Sequence, residues 1–211
     1  MTTVTAPTTG GEVERPRQRN PRGEGDRLRD DLLTAAAELM STHGSVDQVS
    51  LRSVARTAGV SPTAVYRHFD DHLDLLRESI QFCWTNFNDA LTRSFSPDDD
   101  PFVAFRRCGE AYCEFAANNQ GQYRVLFSNR IDLDEKPIVG LETFELLVGL
   151  VSRMLGKLDD TRDPVFVAVQ VHTWIHGIVD LCATNDRAPW PAMASLLDGL
   201  AAALGLERRP D

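Results

Sequence analysis

Signatures of catalysis are missing from this chain. It carries no Gly-x-Ser-x-Gly nucleophile turn, no phosphate-binding loop and no dinucleotide-binding fingerprint, so nothing in it points to an enzyme. Cysteine is scarce: Cys83, Cys108, Cys113 and Cys182 are too few and too scattered for a disulfide scaffold. Cys108 and Cys113 are five positions apart, about 140° around a helix, so they do not share a face and buried thiols are expected. No metal or other cofactor is expected. His172 and His176, at i and i+4, share a helix face as metal ligands do, but Thr173 stands where a zinc peptidase needs its glutamate. Long apolar runs are lacking as well. The longest uncharged one, residues 165–179, contains Gln170, His172 and His176, which reads as too short and too polar to cross a bilayer. The first residues hold no apolar stretch of the kind that directs export, so a cytoplasmic protein without a membrane partner is expected. No window alternates apolar and polar residues in a β-strand pattern, and no internal repeat is present. The expected fold class is therefore all-α.

What is present is ordinary for a globular protein, with 42% hydrophobic and 25% charged residues, enough chain for one large or two smaller domains. The net charge of −9 is unevenly spread. Residues 1–72 carry nine arginines against ten acidic residues, while residues 73–211 carry thirteen basic and twenty-one acidic ones. Arg15, Arg17, Arg19, Arg22, Arg27 and Arg29 crowd a short stretch that holds only Glu24 and Asp26 as acids. Residues 1–24, rich in Thr, Gly, Pro and Arg and without periodicity, are expected to form a disordered arm. Helical periodicity predicts helices near 26–42, 71–95, 101–119, 122–129, 137–157, 163–185 and 190–204, separated by Gly, Pro and Asp clusters. The inner line of the 71–95 helix is expected to be Leu73, Leu76, Ile80, Cys83, Phe87 and Leu91.

The densest signal lies in residues 50–69. Ser50 is a good N-cap, and Leu51, Val54, Ala55 and Ala58 form an apolar stripe at helical spacing. Gly59 supplies a left-handed residue to end that helix. Ser61 is placed to cap a second helix, with Pro62 at its first position. Val65 and Phe69 face inward there, leaving Thr63, Tyr66, Arg67 and His68 at the surface. Two short helices joined by a tight turn in this way make a helix-turn-helix, whose second helix enters the DNA major groove.

Val65-Tyr66-Arg67-His68-Phe69, followed by Asp70-Asp71-His72-Leu73-Asp74-Leu75-Leu76, closely resembles the end of the DNA-binding domain of TetR-type (tetracycline-repressor-like) regulators. The resemblance runs from about Arg27 to Leu76 and includes Ala35-Ala36-Ala37-Glu38-Leu39. It recurs more weakly at Tyr123-Arg124-Val125-Leu126-Phe127 and Trp174-Ile175-His176-Gly177. It implies that Tyr66 and His68 touch the sugar-phosphate backbone. Ser50 would offer its hydroxyl and free backbone N–H groups to a phosphate. Arg52, Thr63 and Ala64 would face base edges, where Arg forks onto guanine and the Thr and Ala methyls meet thymine. Ser61 and Arg67 complete the expected contact set. The family usually has Lys at the head of the next helix; here it is His72, which makes a phosphate contact weaker and dependent on pH. The Arg-bearing arm either lies in the minor groove or acts as a solubilising tail.

The resemblance divides the chain into an arm (1–24), a DNA-binding domain (25–72) and a helical domain (73–205) that dimerises and senses a small molecule. Phe87, Phe105, Cys108, Tyr112, Phe127, Trp174 and His176 are the expected cavity residues, with polar groups drawn from Asn86, Arg107, Glu110 and His176. The effector is expected to be a small hydrophobic molecule. A four-helix seam between two copies would use Ile138, Leu141, Val148, Val151, Leu155, Val165, Val169 and His172. The function implied is a ligand-responsive repressor, homodimeric on a palindromic double-stranded operator. Two alternatives stay open: a constitutive regulator or activator with a filled core, and a helical protein-interaction module without DNA binding.

Overall fold

Capping residues and glycines set many of the helix ends. In the computed structural model, which describes residues 24–127, 140–185 and 187–208, the described residues form nine helices and no strand. In chain order they are α1 (Glu24–His43), α2 (Leu51–Thr57), α3 (Pro62–Val65), α4 (His72–Thr92), α5 (Pro101–Asn118), α6 (Gln120–Phe127), α7 (Leu141–Lys157), α8 (Pro164–Thr184) and α9 (Met193–Ala203). The all-α expectation holds. The Arg-bearing arm up to residue 23, and Ile138 of the expected seam, lie outside the described residues.

Three aspartates act as N-caps by accepting a backbone N–H. Asp71 accepts from Asp74 at 2.8 Å, Asp100 from Phe102 at 3.1 Å and Asp163 from Val165 at 3.0 Å. Pro101 and Pro164 follow the latter two at the first helical position, where the missing donor is harmless. Gly44 leaves α1 with φ +59°. The buried line of α4 is Leu75, Ser79, Cys83, Phe87 and Leu91, flanked by Leu76 and Ile80. Leu73, expected inside, is instead exposed. Successive steps of four from Leu75 stay on one face, whereas Leu73 is two positions off that line and points away.

The hydrophobic core does not respect a division at residue 72. One buried cluster contains Leu32, Ala36 and Met40 of α1, Val54 and Val65 of the helix-turn-helix, Leu75 to Leu91 of α4, and Tyr123, Val125 and Leu126 of α6. A second cluster joins Phe105, Val151, Met154, Leu155, Val167, Val171 and Leu200 of α5, α7, α8 and α9. The joint between α1 and α6 is tight. A Cβ placed on the buried Gly121 would lie 2.6 Å from the Met40 carbonyl oxygen and closer still to that of Ser41. The Gln122 side-chain amide also donates to the Ala37 carbonyl at 3.3 Å.

Helix α8 corrects one expectation. Twenty-one residues long, with mean hydropathy 1.4 over its most apolar window, it is long and apolar enough by composition to cross a membrane. Its helix extends beyond the uncharged run on both sides. Here Val167, Ala168, Val171, Ile175 and Val179 turn into the core, packed against α7, α5 and α9. Val165, Phe166, Val169 and Leu181 remain exposed, Phe166 by 61%. The expected seam changes accordingly: Val151 and Leu155 are buried within the chain, so they are not available to a second copy.

Candidate nucleic-acid interface and interior cavity

Helix α2 is held at its start by a reciprocal pair. The Ser50 hydroxyl accepts the Ser53 N–H at 3.1 Å, and the Ser53 hydroxyl accepts the Ser50 N–H at 2.8 Å. Leu51, Val54 and Ala55 pin α2 to the core, and Val65 and Phe69 do the same after the turn. Gly59 has φ +69°, the left-handed conformation its position in the turn requires. The second helix is shorter than expected. It ends at Val65, and Arg67 and His68 bond back to Ala64 and Val65 in tighter three-residue turns. Ser61 occupies the N-cap position, but its hydroxyl makes no capping bond.

This backbone leaves Arg52, Ser61, Thr63, Tyr66 and Arg67 exposed, with Ala64 and His68 half-buried. Tyr66 is 58% exposed, a large ring with no packing reason to be there. Among the described residues, neither Arg52 nor Arg67 has an ion-pair partner. Arg29, counted among the arginines of the arm region, is occupied otherwise: it lies over the Phe69 ring at 5.4 Å and pairs with Glu78 at 3.1 Å. His72 also has a role that sequence reasoning missed. Its Nε2 is 2.6 Å from the Val49 carbonyl oxygen, which can only accept, so Nε2 carries a proton and ties the head of α4 to the residue before the motif.

Between α4, α5, α7, α8 and α9 lies a cavity of about 310 Å³, at the small end of the range for small-molecule sites. Phe87, Phe105, Cys108, Tyr112 and Phe127 are in its wall. Trp174 and His176 are not. On α8 the wall is formed by Val171, His172 and Ile175, whereas Trp174 packs against both buried clusters and faces a separate groove with Val169, Thr173 and Leu204. His176 instead accepts or donates at the end of a buried chain. The Tyr112 and Tyr123 hydroxyls are 2.8 Å apart, and the Tyr123 hydroxyl is 2.6 Å from His176 Nδ1. Sequence reasoning missed Trp84, Phe144 and His172 as wall residues. Trp84 and Phe144 sit beside Gly140 and Leu141, which close one side of the cavity.

Among the described residues the wall is electrically quiet: it holds no Asp, Glu, Lys or Arg. Burial pushes the Tyr112 phenol above its ordinary range and the Cys108 thiol up to about 12. Burial, and secondarily His176 stacked on it at 5.9 Å, hold His172 below the usual histidine value. The other polar candidates turn outward: Arg107 pairs with Asp99 at 2.8 Å, Glu110 with Arg106 at 3.2 Å, and Asn86 is exposed.

The family model of bacterial regulatory proteins of the tetR family matches residues 32–78, and that of the tetracyclin repressor-like C-terminal domain matches residues 105–204. Together they span more than two thirds of the chain. The chain belongs to the TetR family. Curated relatives include the nucleoid occlusion factor SlmA of Vibrio cholerae, 26% identical over 98 residues, 46% of this chain and 50% of that protein. Another is an uncharacterized HTH-type transcriptional regulator of Haemophilus influenzae, 29% identical over 101 residues, 48% of this chain and 49% of that protein. The chain thus spans about half the length of the curated relatives it matches. Similar solved folds include a TetR family transcription regulator of Marinobacter aquaeolei, with TM-score 0.67 and 19% identity, covering 87% of this chain and 98% of that one. FadR of Bacillus subtilis, solved in complex with stearoyl-CoA, has TM-score 0.67 and 15% identity, covering 83% of this chain and 96% of that one. In TetR terms, the helix-turn-helix of α2 and α3 falls inside the N-terminal match, and the cavity-lining helices from α5 onward fall largely inside the C-terminal one.

Proposed function

We propose that the protein is a ligand-responsive transcriptional repressor, a cytoplasmic homodimer that binds a palindromic operator and is released by a small hydrophobic molecule. The observation that carries this reading is the double use of α4. Through Leu75, Ile80 and Cys83 it shares one buried cluster with α1 and with the inward residues of α2 and α3, and from the very next residue on, Trp84, Phe87 and Leu91 line the cavity. A molecule that changes the packing of the cavity therefore bears on the helix that carries the DNA-reading unit. Release requires that the molecule prefer a conformation in which the two recognition elements no longer sit about 34–36 Å apart, one turn of DNA.

Residues 25–72 read DNA in this proposal and residues 73–205 sense and dimerise. Tyr66, His68 and Ser50 hold the phosphate backbone; Arg52, Thr63 and Ala64 read bases, with Ser61, Arg67 and His72 at the margin of the contact. The exposed row Val165, Phe166 and Val169 on α8 supports a seam with a second copy. The stearoyl-CoA complex of a protein with this fold supports a sensing role for the interior. A constitutive regulator with a filled core gains no support from a cavity of this size.

Gel-shift with the DNA upstream of the protein's own gene, with and without compounds that raise its melting temperature, tests the proposal. A retarded complex that dissociates on adding such a compound is expected. Absence of any sequence-preferring complex would favour the interaction-module alternative, and a complex indifferent to every stabilising compound would favour the constitutive one.

A further inference from the structure

We infer that the cavity selects an uncharged aromatic molecule bearing one hydroxyl or carbonyl group, and that His172 is the residue that reads this group. The inference rests on the ligand-sensing reading above and names the chemistry of the same site.

Of the polar side chains in the wall, Tyr112 is already engaged: its hydroxyl is bonded within the Tyr112–Tyr123–His176 chain. The Thr143 hydroxyl donates to Asn88 on α4. His172 is different. Its ring meets Phe127 at 5.9 Å, Phe144 at 6.2 Å and His176 at 5.9 Å, yet among the described residues it makes no hydrogen bond. The Trp84 indole N–H in the same wall makes none among them either, but it can only donate, whereas an imidazole both donates and accepts. The imidazole is half-buried and its nitrogens remain accessible, so a ligand hydroxyl or carbonyl can supply the partner that the described residues do not. Neutral imidazole has one donor and one acceptor, which suits a hydroxyl or a carbonyl.

The rest of the wall suits a flat ring. Trp84 and Phe127 meet at 5.2 Å and 70°, Phe87 and Phe127 at 6.0 Å and 88°, so the wall is built of rings set edge to face, the packing that a further aromatic ring can extend. A carboxylate of the same shape finds no cation among the described wall residues. It would need His172 to take up a proton, which burial and the neighbouring His176 oppose.

Calorimetric titration of the full chain near pH 7.5 with 2-naphthol, naphthalene and 2-naphthoate tests this. Binding of 2-naphthol about tenfold tighter than either of the others is expected. His172→Phe should bring 2-naphthol and naphthalene to equal affinity, and His172→Gln should retain part of the preference. Thermal melts check that each variant is folded; if His172→Phe is not, His172→Leu takes its place. Naphthoate binding as tight as naphthol, a hydroxyl preference that survives loss of the imidazole, or failure of all three probes to bind below about 1 mM would overturn the inference. Naphthol that binds as expected but leaves the operator complex intact would overturn the ligand-responsive reading and leave the cavity chemistry standing.

Discussion

Replacing Gly121 with alanine is a direct probe of how the two ends of the molecule are joined. The new Cβ would lie 2.6 Å from the Met40 carbonyl oxygen and nearer to that of Ser41, against an ordinary contact of 3.4 Å or more. Backbone oxygens of a formed helix cannot swing aside as a side chain does, so α1 and α6 must part by roughly 1.5 Å at this point, in an interior packed to crystal-like density. Such overpacking costs about 1–3 kcal/mol, which outweighs the gain of up to about 1 kcal/mol that alanine brings to a helix interior. For a chain of this length that is a fall of about 2–10 °C in melting temperature. The control is Gly199→Ala in α9, where a Cβ meets nothing within 4 Å and the helical gain stands alone. It should raise the melting temperature by about 1–4 °C. Circular dichroism melts of both variants and the parent decide the matter. A Gly121→Ala protein as stable as the parent would mean that α1 and α6 are not in close contact, and the shared core would have to be abandoned.

Tyr66→Ala and His68→Ala should weaken binding to every DNA sequence alike, because phosphate contacts position without specifying. Arg52→Ala and Thr63→Ala should cost about 1–3 kcal/mol at particular base pairs, and binding-site selection that returns an unchanged site at unchanged affinity would remove them as base readers. The mass in solution should be close to twice 23.4 kDa, and Phe166→Asp, which places a charge on the exposed row of α8, should shift it toward the monomer in sedimentation without loss of helix. His172 is held below the usual histidine value in the folded chain, so between that lowered value and about 6.5 the unfolded chain binds more protons. Its contribution is therefore full above the ordinary histidine value and is lost as the pH falls below it. His172→Phe should flatten this part of the melting-temperature profile between about pH 7.5 and 5, and an unchanged slope would contradict the burial of the ring.

The helix-turn-helix was legible because its demands are local. A cap at Ser50, a left-handed Gly59 and a proline at Pro62 each follow from the geometry of a few neighbouring residues. Where the backbone departs from the regular helix, the sequence misleads: Tyr66, Arg67 and His68 read as helical, yet they lie in a tight turn beyond Val65. The cavity was legible only as composition. Periodicity places Phe87, Cys108 and Tyr112 on inward faces, but it cannot tell a wall residue from one behind the wall, nor His172 from His176, which share a helix face. That distinction depends on the rotation of α8 against α5 and α7. The link from His72 to the Val49 carbonyl spans twenty-three positions and leaves no mark in either local pattern.

Helix α1 also bears on which pieces of the protein are exchangeable. It touches the reading unit through Arg29 on Phe69, and it touches the remainder through Arg29 with Glu78, Met40 with Cys83 and Ala37 with Gln122. A transplant cut at residues 25 and 72 would carry one side of the Gly121 joint away from the other. A smaller cassette, residues 45–70, leaves that joint whole and moves only α2, α3 and their turns. Under the proposed reading, substitution in that cassette would shift operator choice and leave the effector response unchanged. A substitution on the face of α1 toward α6 would alter both traits at once.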